Sequence, residues 1–339
     1  MGETYFELSL EDQGEALEIA AARSGRPAYL LEKDVWVVWA LSVLFEAEVG
    51  QHLSFKGGTS LSKVYGIIDR FSEDIDLTYD IRAMLPDMAG DGDGIPPSRS
   101  QGQKWTEAVR QQLPGWIDQT IKPLLLAAME RDGVKATLRQ EANERLYIDF
   151  PGHREGYGYV RPAVMLEFGA RSTGEPTEPH QVVCDAAPHL SEISFPTAAP
   201  RVMKLERTFW EKATAAHVYC AQAQLKGERF ARHWHDLAAM TLSPDYETAI
   251  EDRGIAGSVA RHKAIFFREK DSEGSVVDYT AAVTGSLRIV PEGDARRVLE
   301  EDYRKMVEAG LLHGSAPSFD ELMATCSVIQ ERANESFPD

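Results

Sequence analysis

The sequence predicts an α/β fold, with a sheet-bearing core over residues 1–200 and a helical C-terminal domain over residues 201–339. Three observations predict it. A short strand, Leu53 to Lys56, enters a Gly57-Gly58 turn; the stretch Asp74-Ile75-Asp76-Leu77-Thr78-Tyr79 alternates polar and apolar residues with the period of a strand; and apolar residues recur at helical spacing before the first strand and again from Met203 onward.

Taken in order, Ser9 followed by Asp12 is a helix-start signal, and Leu17, Ile19, Ala20 and Ala21 lead to a stop at Gly25 and Pro27. A second helix runs from Ala28 to Val49 and is apolar on several sides, which places it beneath the core. Near its start, Glu32-Lys33-Asp34 reads as a solvated face. Leu53 to Lys56 is the first strand. After Gly57 and Gly58 come Thr59 and Ser60, then an amphipathic helix expected to carry Leu61, Val64, Tyr65 and Ile68.

Residues 55–77 hold two halves of a phosphate-handling site. Glycines let the backbone turn sharply and approach a ligand closely, and the amides that open the next helix point at anions, so Gly57, Gly58, Thr59 and Ser60 are candidate phosphate contacts. In a strand, Asp74 and Asp76 share one face while Ile75, Leu77 and Tyr79 share the other. Two adjacent carboxylates repel unless a cation lies between them, and hard oxygens of this kind suit Mg²⁺ that also binds substrate phosphates.

Met84 to Gln103, rich in Gly, Pro, Asp and Ser, reads as a mobile loop. Trp105 to Arg131 is helical, with interruptions expected near Pro114 and Pro123. Strands follow at Ala136–Arg139, Arg145–Phe150 and Ala163–Phe168. In the segment from Met203 to Leu237, Phe209, Lys212 and Ala216 lie along one helical face, so Lys212 either snorkels to solvent or reaches a phosphate as a point charge. His217, His233 and His235 do not suggest zinc, because no cysteine stands at a workable interval and His-x-His on a helix splays its rings. From Ile255 onward the chain reads as helical packing.

The blocks Lys56-Gly57-Gly58-Thr59-Ser60-Leu61 and Phe71-Ser72-Glu73-Asp74-Ile75-Asp76-Leu77 resemble the polymerase-β-like nucleotidyltransferase core, and more closely the AbiEii/AbiGii toxin family. The gap between them is longer than in many members of that superfamily. Arg207-Thr208-Phe209-Trp210-Glu211-Lys212 resembles the Glu-Lys motif of the family, and Arg232-His233-Trp234-His235-Asp236-Leu237 resembles its Arg-Asp-x-x-Asp-Leu motif, with Asp236 on the matching position and His233 where Asp is common. The resemblance implies a mixed sheet flanked by helices, with the C-terminal domain completing the active site. It also implies a third acidic metal ligand on a neighbouring strand. Glu167 and Asp149 both fit, and Glu167 is preferred because Gly169-Ala170-Arg171 follows it.

By the same resemblance the chain is the toxin of a type IV toxin–antitoxin or abortive-infection pair with a separately encoded antitoxin. Its implied reaction moves a nucleoside monophosphate from an NTP, with Mg²⁺ on Asp74, Asp76 and Glu167, phosphate on Lys56 to Ser60 and on Lys212, and Asp236 positioning the nucleotide or activating the acceptor. The leading acceptor is the 3′ end of tRNA. The alternatives are a protein or small-molecule hydroxyl, or a catalytically silent nucleotide-binding protein.

Bulk properties constrain the partners. A formal charge of −18 over 339 residues argues against non-specific coating of nucleic acid or anionic membrane. Locally the sign reverses: from Arg201 to His233 seven Lys/Arg stand against three acids, a stripe suited to triphosphate or an RNA backbone. Cys184, Cys220 and Cys326 are far apart and without metal spacing, as expected of free thiols in a reducing cytoplasm. No membrane-spanning run is expected.

Overall fold

The computed structural model describes residues 3–68, 74–153, 162–222, 224, 230–309, 312 and 316–335. Phe71, Ser72 and Glu73 of the second motif, and Lys226, Glu228 and Arg229 of the basic stripe, lie outside these. The chain divides into two compact units, Met1–Val64 with Glu73–Gly94 and Glu107–Val202, and Tyr65–Ser72 with Ile95–Thr106 and Met203–Asp339.

The first unit opens with α1, Leu10–Ser24. Its N-cap Ser9 accepts a hydrogen bond from Asp12 N at 3.1 Å, and Gly25 closes it in the left-handed conformation with φ +75°. Helix α2, Ala28–Glu46, follows, then strand β1, Leu53–Lys56, and helix α3, Gly57–Lys63. Helix α3 is shorter than the apolar pattern suggests. Val64 is its cap and Gly66 takes φ +61°, so Tyr65 and Ile68 fall outside it.

Strand β2 spans Asp74–Asp80. Later come β3 (Thr137–Glu141), β4 (Arg145–Asp149), β5 (Ala163–Ser172), β6 (Thr177–Pro179) and β7 (Arg201–Met203). Together they form one mixed seven-stranded sheet in the order β3-β4-β5-β2-β1-β7-β6. Strands β1 and β2 are antiparallel, β2 and β5 parallel, and β4 antiparallel to both β5 and β3.

The alternation read from the sequence separates two faces. Leu53, Phe55, Ile75, Leu77, Leu146, Ile148, Leu166 and Phe168 point one way and are buried. Trp36 of α2 stacks on Phe150 at 5.0 Å, and Trp116 meets Tyr79 and Phe168 at 4.3 and 5.5 Å, so helices cover this face. The other face carries Lys56, Asp74, Asp76, Arg145, Tyr147 and Glu167.

Two expectations need correction. The segment 84–103 is not one loop: helical turns Ile81–Met84 and Pro86–Ala89 occupy its start, anchored by buried Met84 and Leu85, and α4 (Arg99–Trp116) occupies its end. Helix α4 also runs through Pro114 without a break. The irregularity is a π-turn at Ile117–Ile121 before α5, Lys122–Arg131, which widens the backbone just ahead of Pro123.

The second unit is mainly helical where described. Helix α6, Leu205–Gln222, and helix α7, Arg232–Met240, are followed by helices at Arg253–Phe266, Gly293–Glu308 and Phe319–Asn334. The last opens with a capping box between Ser318 and Glu321. Asp302 accepts from Ala231 N at 2.7 Å and so satisfies an amide at the start of α7. Among the described residues, no helix is long and apolar enough to cross a membrane.

Candidate active site

The polar face of the sheet is organised as a charged row. Strand register sets Lys56 of β1 opposite Asp76 of β2, Asp76 opposite Glu167 of β5, and Glu167 opposite Arg145 of β4. Asp74 stands one pleat along, opposite Met165, which in turn faces Tyr147. Signs along the row run plus, minus, minus, plus. Directly opposed like charges destabilise a sheet, so the central pair Asp76 and Glu167 needs cationic neighbours. Arg145 supplies one, its Nε donating to Glu167 Oε2 at 3.0 Å. Glu167 in turn raises the affinity of the Arg145 guanidinium for its proton.

Gly57 joins this row to the helix that follows. With φ +83° it turns the chain out of β1, and a Cβ built on it would lie 1.9 Å from Asp76 Oδ2. The Asp76 carboxylate therefore occupies space that any other residue at 57 would fill.

Three side chains fasten α3 behind that contact. Thr59 Oγ1 donates to the carbonyl of Asp74, and Ser60 Oγ donates to the Gly57 carbonyl at 2.9 Å; both residues are buried. Their hydroxyl protons are thus directed at backbone carbonyls, of β2 for Thr59 and of the turn for Ser60. Lys63, at the last position of α3, contacts Asp34 Oδ1 and Asp185 Oδ1 at 2.6 Å each, while Asp185 N donates to Asp34 Oδ2 at 2.6 Å. Burial alone would weaken the Lys63 ammonium as a base, but the two carboxylates outweigh it and hold the ammonium above its ordinary value.

This overturns the solvated reading of Glu32-Lys33-Asp34. All three are buried, at 2%, 3% and 6% exposure. Asp34 is matched by Lys63, and Glu32 lies 3.3 Å from His153 Nε2, whose ring burial makes a weaker base than usual. The sequence gives no local sign of this, because the partners come from distant segments.

The choice between Glu167 and Asp149 has a geometric side. Asp149 pairs in register with Ala163, four residues along β5 from Glu167, and is held by both Nε and Nη2 of Arg139 at 2.8 and 2.9 Å. Glu167 stands next to Asp76.

In the second unit, Lys212 is buried rather than snorkelling. Its ammonium donates to Asp236 Oδ2 at 2.8 Å, and His235 Nδ1 lies 3.5 Å from the other carboxylate oxygen, so the two residues singled out in separate motifs form one ion pair. Asp236 is fully buried. Arg207 Nε donates to Glu211 Oε1 at 3.0 Å on the same helix. His233 Nδ1 is shut off from solvent with no hydrogen-bond partner among the described residues, and burial, reinforced by Lys212 and Arg232, holds its ring well below the usual histidine range.

The family profile described as Nucleotidyl transferase AbiEii toxin, Type IV TA system, matches residues 39–325. The chain belongs to this family. It is therefore a nucleotidyltransferase toxin of the type IV toxin–antitoxin class, as the motif resemblance implied. No curated protein matches the chain. Among solved structures, MenT4, a nucleotidyltransferase toxin from Mycobacterium tuberculosis H37Rv, aligns with a TM-score of 0.43 at 17% identity, covering 94% of this chain and 97% of that one. The family assignment rests on the profile.

Members of such a family imply an NTP and usually a divalent metal. The donor set of the Asp74–Asp76 pair fits Mg²⁺, a hard cation that takes one or two carboxylates together with substrate phosphate oxygens and water. A closed three-ligand cage is not what this arrangement offers: among the described residues, no group of three His, Cys, Asp or Glu gathers closely enough to hold a metal. Glu167 is turned to Arg145 instead.

Proposed function

We propose that this AbiEii-family toxin transfers a nucleoside monophosphate from an NTP to an RNA acceptor, the 3′ end of tRNA, in the cytoplasm, and that a separately encoded antitoxin opposes it. The observation that carries the chemistry is the row Lys56–Asp76–Glu167 beside the Gly57 turn, which sets paired hard-oxygen ligands against a backbone able to approach a phosphate. The acceptor is proposed from the resemblance to AbiEii-like toxins. Of the basic residues, the half-buried Arg201 and Lys204 are compatible with a phosphate backbone, whereas Arg207 and Lys212 are buried and paired with Glu211 and Asp236.

In this reading Asp74 and Asp76 hold Mg²⁺, with Glu167 as the third carboxylate. Bound there, the cation would supply charge that stabilises the attacking and leaving oxygens of an in-line displacement. Gly57 and Gly58 bring backbone amides to the triphosphate, and Lys56 places a side-chain charge beside them. Thr59 and Ser60 set the shape of that backbone through their bonds to Asp74 and Gly57. Lys212 neutralises phosphate, and Asp236 holds the Lys212 ammonium in place.

The test is transfer from α-³²P-labelled ATP, CTP, GTP and UTP to total tRNA with Mg²⁺, comparing the wild type with Asp74→Asn. Label on tRNA that the variant abolishes is the expected result. Label on co-incubated protein or a small hydroxyl compound, with none on tRNA, would replace the acceptor and keep the chemistry. Growth arrest by the wild type that Asp74→Asn leaves intact would indicate a toxin acting by binding alone.

A further inference from the structure

The ion pair between Arg145 and Glu167 stands at the end of the carboxylate row rather than in a structural corner. Glu167 is the register partner of Asp76 on one side and of Arg145 on the other, so its carboxylate has two competing destinations. In this structure it takes the guanidinium, at 3.0 Å. Both side chains are substantially exposed, 45% for Arg145 and 36% for Glu167, so neither is locked by packing and their pairing is weak enough to exchange.

Contrast Arg139, which grips Asp149 with two nitrogens and also lies over the Tyr147 ring at 4.3 Å. That pair is braced by a stacking contact. Arg145 makes a single-nitrogen contact to Glu167 and is the more easily released of the two.

We propose that Arg145 is a tether on Glu167, which keeps the third carboxylate away from the Asp74–Asp76 pair in the nucleotide-free protein and yields it when a divalent cation arrives with a triphosphate. The exchange conserves charge pairing: the carboxylate passes from guanidinium to cation, and the guanidinium passes from carboxylate to a phosphate oxygen. The consequence is coupling. The free toxin binds the cation weakly, and nucleotide strengthens cation binding because it gives Arg145 another partner. Arg145 is thus a positioning residue, acting through Glu167. The inference rests on the metal-site reading given under Proposed function.

Mn²⁺ binding to nucleotide-free protein, followed by electron paramagnetic resonance, tests it without reference to turnover. Arg145→Gln is expected to bind Mn²⁺ about three- to fivefold more tightly than the wild type, the scale set by an exposed ion pair. In a Glu167→Gln background the same substitution is expected to gain nothing. That second arm separates a tether from a general field effect, since loss of a positive charge acting through space would tighten binding in both backgrounds. An equal gain in both backgrounds, or none in the wild-type background, would overturn the tether. If wild type and Asp76→Asn bound Mn²⁺ alike, with and without nucleotide, the metal-site reading itself would fall and the tether with it.

Discussion

Gly57 and Asp76 are in contact across the first strand pair so closely that a methyl group on Gly57 would sit 1.9 Å from Asp76 Oδ2. The glycine is needed twice over, for its φ of +83° and for the space its hydrogen leaves. Gly57→Ala is expected to displace the Asp76 carboxylate and to reduce nucleotidyl transfer about a hundredfold or more. The strain of a left-handed alanine adds only about 1–2 kcal/mol of instability. Transfer rate and thermal unfolding measured on the same preparation check this, and a variant that transfers normally would mean that Asp76 can move without consequence.

Lys63 ties the end of α3 to Asp34 and Asp185. Lys63→Met strands the buried Asp34 carboxylate and is expected to cost about 3–5 kcal/mol in urea unfolding. The double variant Lys63→Met with Asp34→Asn removes both charges and is expected to recover most of that loss. Equal losses in the single and double variants would show that the pair does not act as a unit.

Lys212 and Asp236 form a second buried pair, and Asp236 has no exposure of its own. Lys212→Ala therefore confounds catalysis with folding. Lys212→Met with Asp236→Asn is expected to be more stable than Lys212→Met alone, yet equally inactive. Activity recovered together with stability would assign Lys212 a structural role only.

His217 accepts a hydrogen bond from Arg288 N at 3.0 Å through Nδ1, and burial lowers its pKa to about 4. The unfolded chain, with histidine near its ordinary value, binds this proton first as pH falls. The stabilisation is complete above about pH 6.5 and is lost on acidification toward pH 4, by up to about 3 kcal/mol. His217→Asn, which keeps an acceptor but cannot titrate, is expected to flatten that slope in urea unfolding measured between pH 7 and pH 4. An unchanged slope would place the acid sensitivity elsewhere.

Features that depend on neighbouring residues in sequence were readable in advance. The Ser9 cap, the Gly25 stop and the strand-turn at Lys56–Gly57 follow from local rules, and the alternation from Asp74 to Leu77 places each side chain on its observed face, up to buried Thr78, where the register with β5 shifts. What could not be read depends on distant partners. Glu32-Lys33-Asp34 looks wet because three adjacent charges are costly to bury, and the groups that make the burial of Asp34 tolerable, the Lys63 ammonium and the Asp185 amide, come from other elements. The hydroxyls of Thr59 and Ser60 look like phosphate ligands beside two glycines, but only the fold brings the Asp74 carbonyl within reach of Thr59. The pairing of Lys212 with Asp236 likewise needed α6 and α7 to be placed before two motifs became one contact.

The most direct measurement is the rate of nucleotide transfer to tRNA by Asp76→Asn, an isosteric change at the centre of the charged row, set beside its unfolding midpoint. The account predicts a loss of about a hundredfold or more with the midpoint little changed. Transfer at the wild-type rate by a folded Asp76→Asn protein would contradict it.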